Sequence, residues 1–543
     1  MSASIGVSEY YAGKSIFITG ATGFMGKVLV EKLLRSCPDI SRIYLLMRPK
    51  KGQNIEQRLD DFINCRIFDK LQVNSPKCFK KLHLIAGDVL KEDLGISIED
   101  WDLLQKEVNI VFHCAACVRF DMFIKDAVDL NMVGTLRALK LAEGMKNLEA
   151  FVHVSTAYCR CELESLDEKL YPFKHDPHKV MDMVEWMDHN TLAHLEKELI
   201  HPQPNTYAYT KSLTEDLVAQ YAHKFPIAIA RPSIVTAAYK EPMPGWIDNL
   251  NGPTGLMVGA GKGVIRTMQC NQDYNVDVLP VDMTINGCIL LAYFRALDNY
   301  CIEYCNLPNI LCACINTAQA ILQRCLAIFN YNTSTKYFIV VNYSSVFRSK
   351  EVRVCNLTQS GVNPITWGEA LELGRYHVKD YPFSICLWYP NGGLKSNRVH
   401  HELALFFTHL VPAYLIDFLA ILMGRKPFMV KIQKRVSYGL GVLQYYTTKQ
   451  WHFNNDYFRS MGKALSAHDN EVFFTDINLL NWSDYIKDYI KGAREFCCKE
   501  DPSTLPQARR LHKQLYYLDL FVKLLFLLPL VYCLYTYLVK LFL

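Results

Sequence analysis

The feature that most limits how this chain can fold lies near its start. Ser15 to Thr19 is a short, largely apolar run rich in β-branched residues, and Gly20-Ala21-Thr22-Gly23-Phe24-Met25-Gly26 follows without a gap. Val28, Leu29, Leu33 and Leu34 then recur at helical spacing. Strand, glycine-rich turn and helix in that order open a dinucleotide-binding βαβ unit. Glycines let the backbone approach a pyrophosphate, whose charge suits the amides at a helix N-terminus. Thr19, Gly20, Thr22, Gly23, Phe24, Met25 and Gly26 are therefore candidate cofactor contacts, at the spacing G-x-x-G-x-x-G.

Ile43 to Met47 reads as the second strand. An NAD enzyme usually carries an acid at the end of this strand, for the ribose hydroxyl. Here Arg48 stands in that place, with Lys50 and Lys51 close behind. Cations suit a 2′-phosphate, so the cofactor reads as NADPH. Leu82 to Ala86 is a third strand, and Asp88, with Val89 beside it, is placed to accept from the adenine amino group. Asn109 to Phe112 is a fourth; the small Ala115 and Ala116 beyond it let the nicotinamide half lie close to the backbone. Strands alternating with helices predict an α/β fold, a Rossmann-type parallel sheet doubly wound by helices.

A fifth strand, Ala150 to Val154, ends in Ser155-Thr156. Downstream, Tyr207 and Lys211 are four residues apart and share one face of a helix. A free tyrosine titrates near pH 10, and a neighbouring ammonium favours its phenolate, which makes the hydroxyl a proton donor usable near neutrality. The same lysine can reach the nicotinamide ribose. Ser155 or Thr156 would hold a substrate carbonyl. Tyr209 lacks a partner lysine, because Leu213 stands four residues on.

Taken together, Thr19-Gly20-x-x-Gly23-x-x-Gly26, Ser155-Thr156 and Tyr207-x-x-x-Lys211 resemble the extended short-chain dehydrogenase/reductase superfamily. The resemblance implies that Asn131, in Asn131-Met132-Val133-Gly134-Thr135, helps order the lysine and a water, and it counts Pro232 among the cofactor contacts. More closely, the chain resembles the eukaryotic fatty acyl-CoA reductases, especially those of insects. The stretches that carry this are Val152-His153-Val154-Ser155-Thr156-Ala157-Tyr158, Ala230-Arg231-Pro232-Ser233-Ile234-Val235 and Pro242-Met243-Pro244-Gly245-Trp246-Ile247-Asp248. Gly252-Pro253-x-Gly255, Asn363 to Glu369 and Pro412 to Asp417 extend the match almost end to end. The resemblance implies NADPH-dependent reduction of long-chain fatty acyl-CoA to primary fatty alcohol with release of coenzyme A, in lipid, wax or pheromone-precursor metabolism. It implies a Rossmann reductase domain over 14–297, completed over 348–398 after a short N-terminal segment 1–13, then a helical C-terminal domain over 399–498.

One segment departs from the family pattern. Residues 298–347 read as an insertion, either a helical hairpin or stray sequence. Its Cys301, Cys305, Cys312, Cys314 and Cys325 lack the paired knuckles of a zinc site, so no metal is expected. The 19 cysteines as a whole are scattered, and Met1 to Tyr11 lacks a signal-peptide core, which together suit reduced thiols in the cytosol.

Leu520 to Leu543 is almost wholly apolar, and Arg509, Arg510, His512 and Lys513 precede it as a basic collar. About 20 apolar residues suffice to span a bilayer, so residues 516–543 read as a single-pass C-terminal anchor with the catalytic domain in the cytosol. Leu403 to Met423 is also apolar but contains His409, Pro412 and Asp417. These suit a buried or interfacial helix and not a second span. A net charge of +5 argues against nucleic acid and allows mild attraction to membrane lipid. Two rivals remain open: a sterol-type membrane-bound dehydrogenase, and an inactive dinucleotide-binding scaffold. Chain-length preference, arrest at the aldehyde, endoplasmic reticulum against peroxisome, and oligomeric state are open as well.

Overall fold

The computed structural model describes residues 5–48, 52–305 and 351–542. Its central sheet has seven strands: β1 (Ser15–Thr19), β2 (Arg42–Met47), β3 (Leu82–Ala86), β4 (Ile110–His113), β5 (Ala150–Val154), β6 (Ile227–Pro232) and β7 (Arg353–Leu357). Their order across the sheet is β7-β6-β5-β4-β1-β2-β3, and every pairing is parallel. β1 pairs with both β2 and β4, so the winding direction reverses at β1. Open α/β sheets leave a ligand crevice at such a switch point, outside the carboxyl ends of the strands.

The inner strands β1, β4, β5 and β6 are buried on both faces, which is why they read as continuous apolar runs and not as alternating ones. Successive residues of β1 feed opposite layers: Ile16 and Ile18 pack into one core, Phe17 into the other. Leu29 and Leu33 of the helix after the glycine turn (Phe24–Ser36) fill the first layer. Leu213 and Leu217 of the helix that carries Tyr207 (Thr206–Gln220) fill the second.

The helix Val281–Cys305 runs through Asp298 without a break, so the start expected for the insertion lies within a regular helix. β7 then takes its place beside β6, with Arg353 opposite Ala228 and Leu357 opposite Pro232. Arg353 also pairs with Asp298 at 2.8 Å, tying the strand to the helix. The expected hairpin over residues 306–347, with Cys312, Cys314 and Cys325, lies outside the described residues.

The second half is helical. Arg398–Leu422 forms one run, long and apolar enough to cross a membrane by length and composition. It is not a buried helix: Phe407, Leu415, Phe418 and Leu422 are all exposed. His409 and Asp417, which argue against lipid contact, are turned inward and hydrogen-bonded to backbone amides. His409 Nε2 accepts from the amides of Arg266 (2.9 Å) and Thr267 (3.2 Å). Asp417 accepts from the amides of Phe428, Met429 and Val430, capping the next helix, Met429–Thr447. The tail helix, Leu505–Phe542, begins on the protein body. There Asp519, almost fully buried, accepts from Trp388 Nε1 (2.6 Å) and Asn391 Nδ2 (2.7 Å). Beyond it Phe521, Leu525, Leu528, Val531 and Tyr532 are exposed.

A buried ion pair locks the Tyr207 helix to the sheet. Arg231, at the end of β6, is 0% exposed and donates to both carboxylate oxygens of Glu215, at 2.9 and 2.5 Å. Its remaining donors reach the carbonyls of Asp167 and Lys169. Removing one partner strands a buried charge, so Arg231→Ala is expected to cost about 3–5 kcal/mol in a denaturant titration. A loss under about 1 kcal/mol would mean that water reaches Glu215.

Candidate active site

The site is built at the switch point between β1 and β4. Gly20 has φ 73°, and a Cβ there would lie 2.7 Å from the Ala115 amide nitrogen, so the turn rests backbone against backbone on the chain leaving β4. Thr19 ties the same two strands. Its hydroxyl accepts from the Ala115 amide (3.2 Å) and bonds His113 Nδ1 (2.8 Å). A Cβ on Gly26 would lie 2.3 Å from the Gly20 carbonyl, which packs the helix directly on the turn. Gly23 is the N-cap and no side chain caps the helix, so the amides of its first turn face outward without an intrahelical partner. Phe24 stacks on the buried Trp246 with ring centres 5.4 Å apart, which seats the Pro244-Gly245-Trp246 run against the turn. An uncapped helix end under a turn with no room for side chains fits a dinucleotide pyrophosphate.

Arg48 follows β2 and is exposed at this edge. Lys50 and Lys51 lie outside the described residues. The guanidinium of Arg58 donates to the Arg48 carbonyl, adding a second cation that sequence reasoning missed. No local pattern marks it; the helix Ile55–Ile63 folds it back. Asp88 closes its own turn, its carboxylate accepting from the Leu90 amide at 3.1 Å. The Val89 carbonyl accepts from Arg137 at 2.8 Å.

Asn205 caps the catalytic helix by accepting from the Ala208 amide (2.9 Å), which fixes where the helix starts and turns Lys211 toward β5. Lys211 Nζ donates to the Val154 carbonyl at 2.7 Å. The Tyr207 phenol and the Thr156 hydroxyl are hydrogen-bonded. Ser155 Oγ is buried without a partner, a condition buried polar groups seldom tolerate unless a ligand supplies one. Asn131 accepts from the Cys117 amide (2.8 Å) and donates to Thr210 (3.0 Å), so it meets the helix one residue before Lys211. Pro232, at the end of β6, and Ala116 complete the carboxyl edge.

The electrostatics differ from the expectation in one respect. Burial pushes the Tyr207 phenol up to about 12, only partly offset by the Thr156 bond. Burial brings the Lys211 ammonium down to about 8. Lys211 spends its hydrogen bond on Val154, and dehydration, not the neighbouring ammonium, governs the Tyr207 phenol. Burial also holds His113 down to about 3 and lowers His153, with the Lys211 charge adding to both. Two neutral imidazoles, 5.6 Å apart, therefore floor the site.

Aromatic side chains wall the Tyr207 side. Phe120 packs on Tyr207 (5.6 Å), Tyr446 packs on Phe120 (5.1 Å), and Tyr158 meets Tyr446 edge-on (5.4 Å). Tyr446 accepts from Asn205 Nδ2 at 2.9 Å. It arrives from the helix Met429–Thr447, too far along the chain for any local motif to reveal it. A separate cavity of about 190 Å³ lies between the helices Pro253–Gly261, Trp367–His377 and Trp482–Gly492. Its lining is apolar and includes Met257, Met268, Trp367, Phe383 and Tyr489. It reaches Arg266, which lies 3.7 Å from Asp519 of the tail helix.

Because a Cβ at residue 20 has no space and the wrong φ, Gly20→Ala is expected to weaken dinucleotide binding at least 100-fold in a fluorescence titration. Unchanged affinity would mean that the turn is not the pyrophosphate site.

Comparison with known proteins agrees with this geometry. Two family models, both described as male sterility protein, match residues 18–288, as an NAD-binding module, and 408–500. Fatty acyl-CoA reductase 1 of Xenopus laevis is 38% identical over 510 residues, covering 93% of this chain and 89% of that protein. The Homo sapiens protein of the same name is 36% identical with the same coverage. Fatty acyl-CoA reductase 2 of Bos taurus is 35% identical, covering 94% and 89%. Among solved structures, the reductase domain of a nonribosomal peptide synthetase from Mycobacterium tuberculosis superposes with a TM-score of 0.56 at 16% identity, covering 88% of this chain and 91% of that one, a likeness of fold. With more than nine-tenths of its length aligned at over a third identity, the chain belongs to the fatty acyl-CoA reductase family.

Proposed function

We propose that this protein reduces long-chain fatty acyl-CoA to the primary fatty alcohol at a membrane surface, with NADPH as reductant. One observation carries the chemistry: Ser155, Thr156, Tyr207 and Lys211 converge at the carboxyl end of β5, on the same sheet edge as the glycine turn and separated from it by β4. A scaffold that only bound a dinucleotide would have no use for that convergence. Arg48 with Arg58 supports NADPH over NADH, since the edge that would meet the ribose carries two cations.

When bound, the nicotinamide supplies hydride to the carbonyl carbon. Ser155, unpartnered and buried, holds the carbonyl oxygen by its hydroxyl. Tyr207 donates a proton to the same oxygen as charge develops there, and Thr156 steadies the phenolate left behind. Lys211 places its ammonium beneath and lowers the energy of that phenolate. Collapse of the thiohemiacetal expels coenzyme A as thiol and leaves the aldehyde. After the spent dinucleotide is exchanged for a second NADPH and Tyr207 is reprotonated from solvent, the same hydroxyls serve a second reduction, so two hydrides enter one carbon. The aromatic wall of Phe120, Tyr158 and Tyr446 keeps water from the aldehyde between the steps.

The apolar cavity suits the acyl chain, and its approach to Arg266 and Asp519 sets it at the foot of the tail helix. The exposed apolar faces of Arg398–Leu422 and of the tail helix support membrane attachment from that side. A fatty substrate would then move between bilayer and cavity without crossing water.

Incubation of membrane-bound protein with hexadecanoyl-CoA and NADPH is expected to yield hexadecanol, and Tyr207→Phe to lower kcat at least 100-fold while leaving NADPH affinity within twofold. The chemistry needs the lysine protonated. Its folded value, about 8, lies below the free value, so the proton is lost earlier as pH rises. The kcat/KM profile is therefore expected to fall above about pH 8, and Lys211→Arg to move that limb beyond the measured range. Alcohol formation by Tyr207→Phe at the wild-type rate would refute the assignment.

A further inference from the structure

The active site accounts for the thioester and the cavity for the acyl chain, but neither accounts for the polar end of the substrate. The helix Met429–Thr447 carries Tyr446 at one end, against Phe120 and Asn205 of the active site. Toward its other end Lys431, Lys434, Arg435 and Tyr438 surround an open hollow of 560 Å³. All four side chains are exposed. Asp417 also borders the hollow, but its carboxylate is committed to the amides of Phe428, Met429 and Val430.

Arg435 and Tyr446, eleven residues apart, fall within about 20° of each other around the helix, so one face forms a track from the hollow to the active site. Gly439 lies on that face, exposed, and a Cβ there would meet nothing within 4 Å. Glycine inside a helix costs about 1 kcal/mol against alanine, so its presence marks a place on the track kept clear of a side chain. The loop after β4 meets this helix at Tyr446. Its Phe120 touches Tyr207, and its Arg119, paired with Asp121 at 3.1 Å, lies within electrostatic reach of Tyr438. From Tyr446 to Arg435 is eleven residues, or roughly 16 Å along a helix.

The geometry points to this track as the coenzyme A site: the pantetheine arm lies over Gly439, and the 3′-phosphorylated ADP sits among Lys431, Lys434 and Arg435. The proposal rests on acyl-CoA as the substrate. Coenzyme A has the matching order of parts, with a thioester at one end, a thin polar arm, and several phosphates at the other. The cations give the phosphates charge-assisted partners, and the Tyr438 ring offers the adenine a stacking face. An anionic lipid headgroup has the same phosphate chemistry, and the exposed apolar helix Arg398–Leu422 lies nearby. It has no need of a track leading to Tyr207.

The test compares two thioesters of one acyl chain in full-length, membrane-reconstituted enzyme: hexadecanoyl-CoA, and hexadecanoyl N-acetylcysteamine, which lacks the nucleotide. The double substitution Lys434→Glu, Arg435→Glu is expected to raise KM for the CoA ester at least tenfold, and to leave KM and kcat for the truncated ester within twofold. Gly439→Leu, which favours the helix and blocks the track, is expected to raise KM for the CoA ester in the same way. An equal loss on both esters, or no loss on either, overturns the proposal. So does an unchanged KM with weakened binding to phosphatidylserine vesicles, which would assign the cations to lipid headgroups. Wild-type enzyme that turns over neither ester refutes the acyl-CoA reading itself, a result distinct from all of these.

Discussion

Everything at the catalytic edge depends on how closely two strand ends approach. Gly20 rests on the Cys114–Ala115 backbone with no space for even a methyl group, and Thr19 bonds both the Ala115 amide and His113. This contact sets β1 and β4 side by side at the point where the sheet reverses its winding. The uncapped helix end then faces the crevice, and the chain leaving β4 passes over it toward Cys117, where Asn131 accepts. Asn131 in turn bonds Thr210 on the helix of Tyr207 and Lys211. A displacement at Gly20 would thus pass through two hydrogen bonds to the catalytic helix. The buried Arg231–Glu215 pair holds that helix from the other side.

The second governing constraint is dehydration. Lys211 is almost fully buried, bonded to a carbonyl, and underlain by two imidazoles that burial keeps neutral. A charge there has little water to screen it, so its effect on a phenolate formed nearby is larger than it would be at the surface. Burial also raises Tyr207. On the proposed mechanism the two tendencies oppose each other, and the balance changes as negative charge develops on a substrate oxygen, when the lysine gains an anion beyond its neutral Val154 partner; that would be stabilisation reserved for the reacting state.

The sheet was legible because its strands are short apolar runs, buried on both faces in the inner strands and ended by glycine after β1 and β3. Ser15–Thr19, Leu82–Ala86 and Ala150–Val154 all stand where their apolar runs indicate. β7 was harder to read, since Arg353 and Asn356 break its apolar run and it reaches the sheet only after residues 306–350. Tyr207, Lys211, Ser155 and Thr156 were legible from spacing, because a helix turn and a strand end impose it. Arg58 and Tyr446 were not, because their positions come from packing between segments far apart in sequence. The helix Arg398–Leu422 was read as buried or interfacial; its exposed apolar face removes the first alternative and suits the second. Its His409 and Asp417 lower its apparent affinity for lipid, yet both point inward to backbone amides, and composition cannot show direction.

The claim that one site performs two successive reductions can be tested by isotope. Hexadecanoyl-CoA is incubated with NADPH carrying deuterium at both C4 positions, and the alcohol is examined by mass spectrometry. Two deuterium atoms on C1 of hexadecanol are expected, with no unlabelled or singly labelled alcohol when the aldehyde is trapped poorly by added hydrazine. Accumulation of singly labelled aldehyde as the end product would contradict the two-step account and leave Tyr207 and Ser155 serving the first reduction alone.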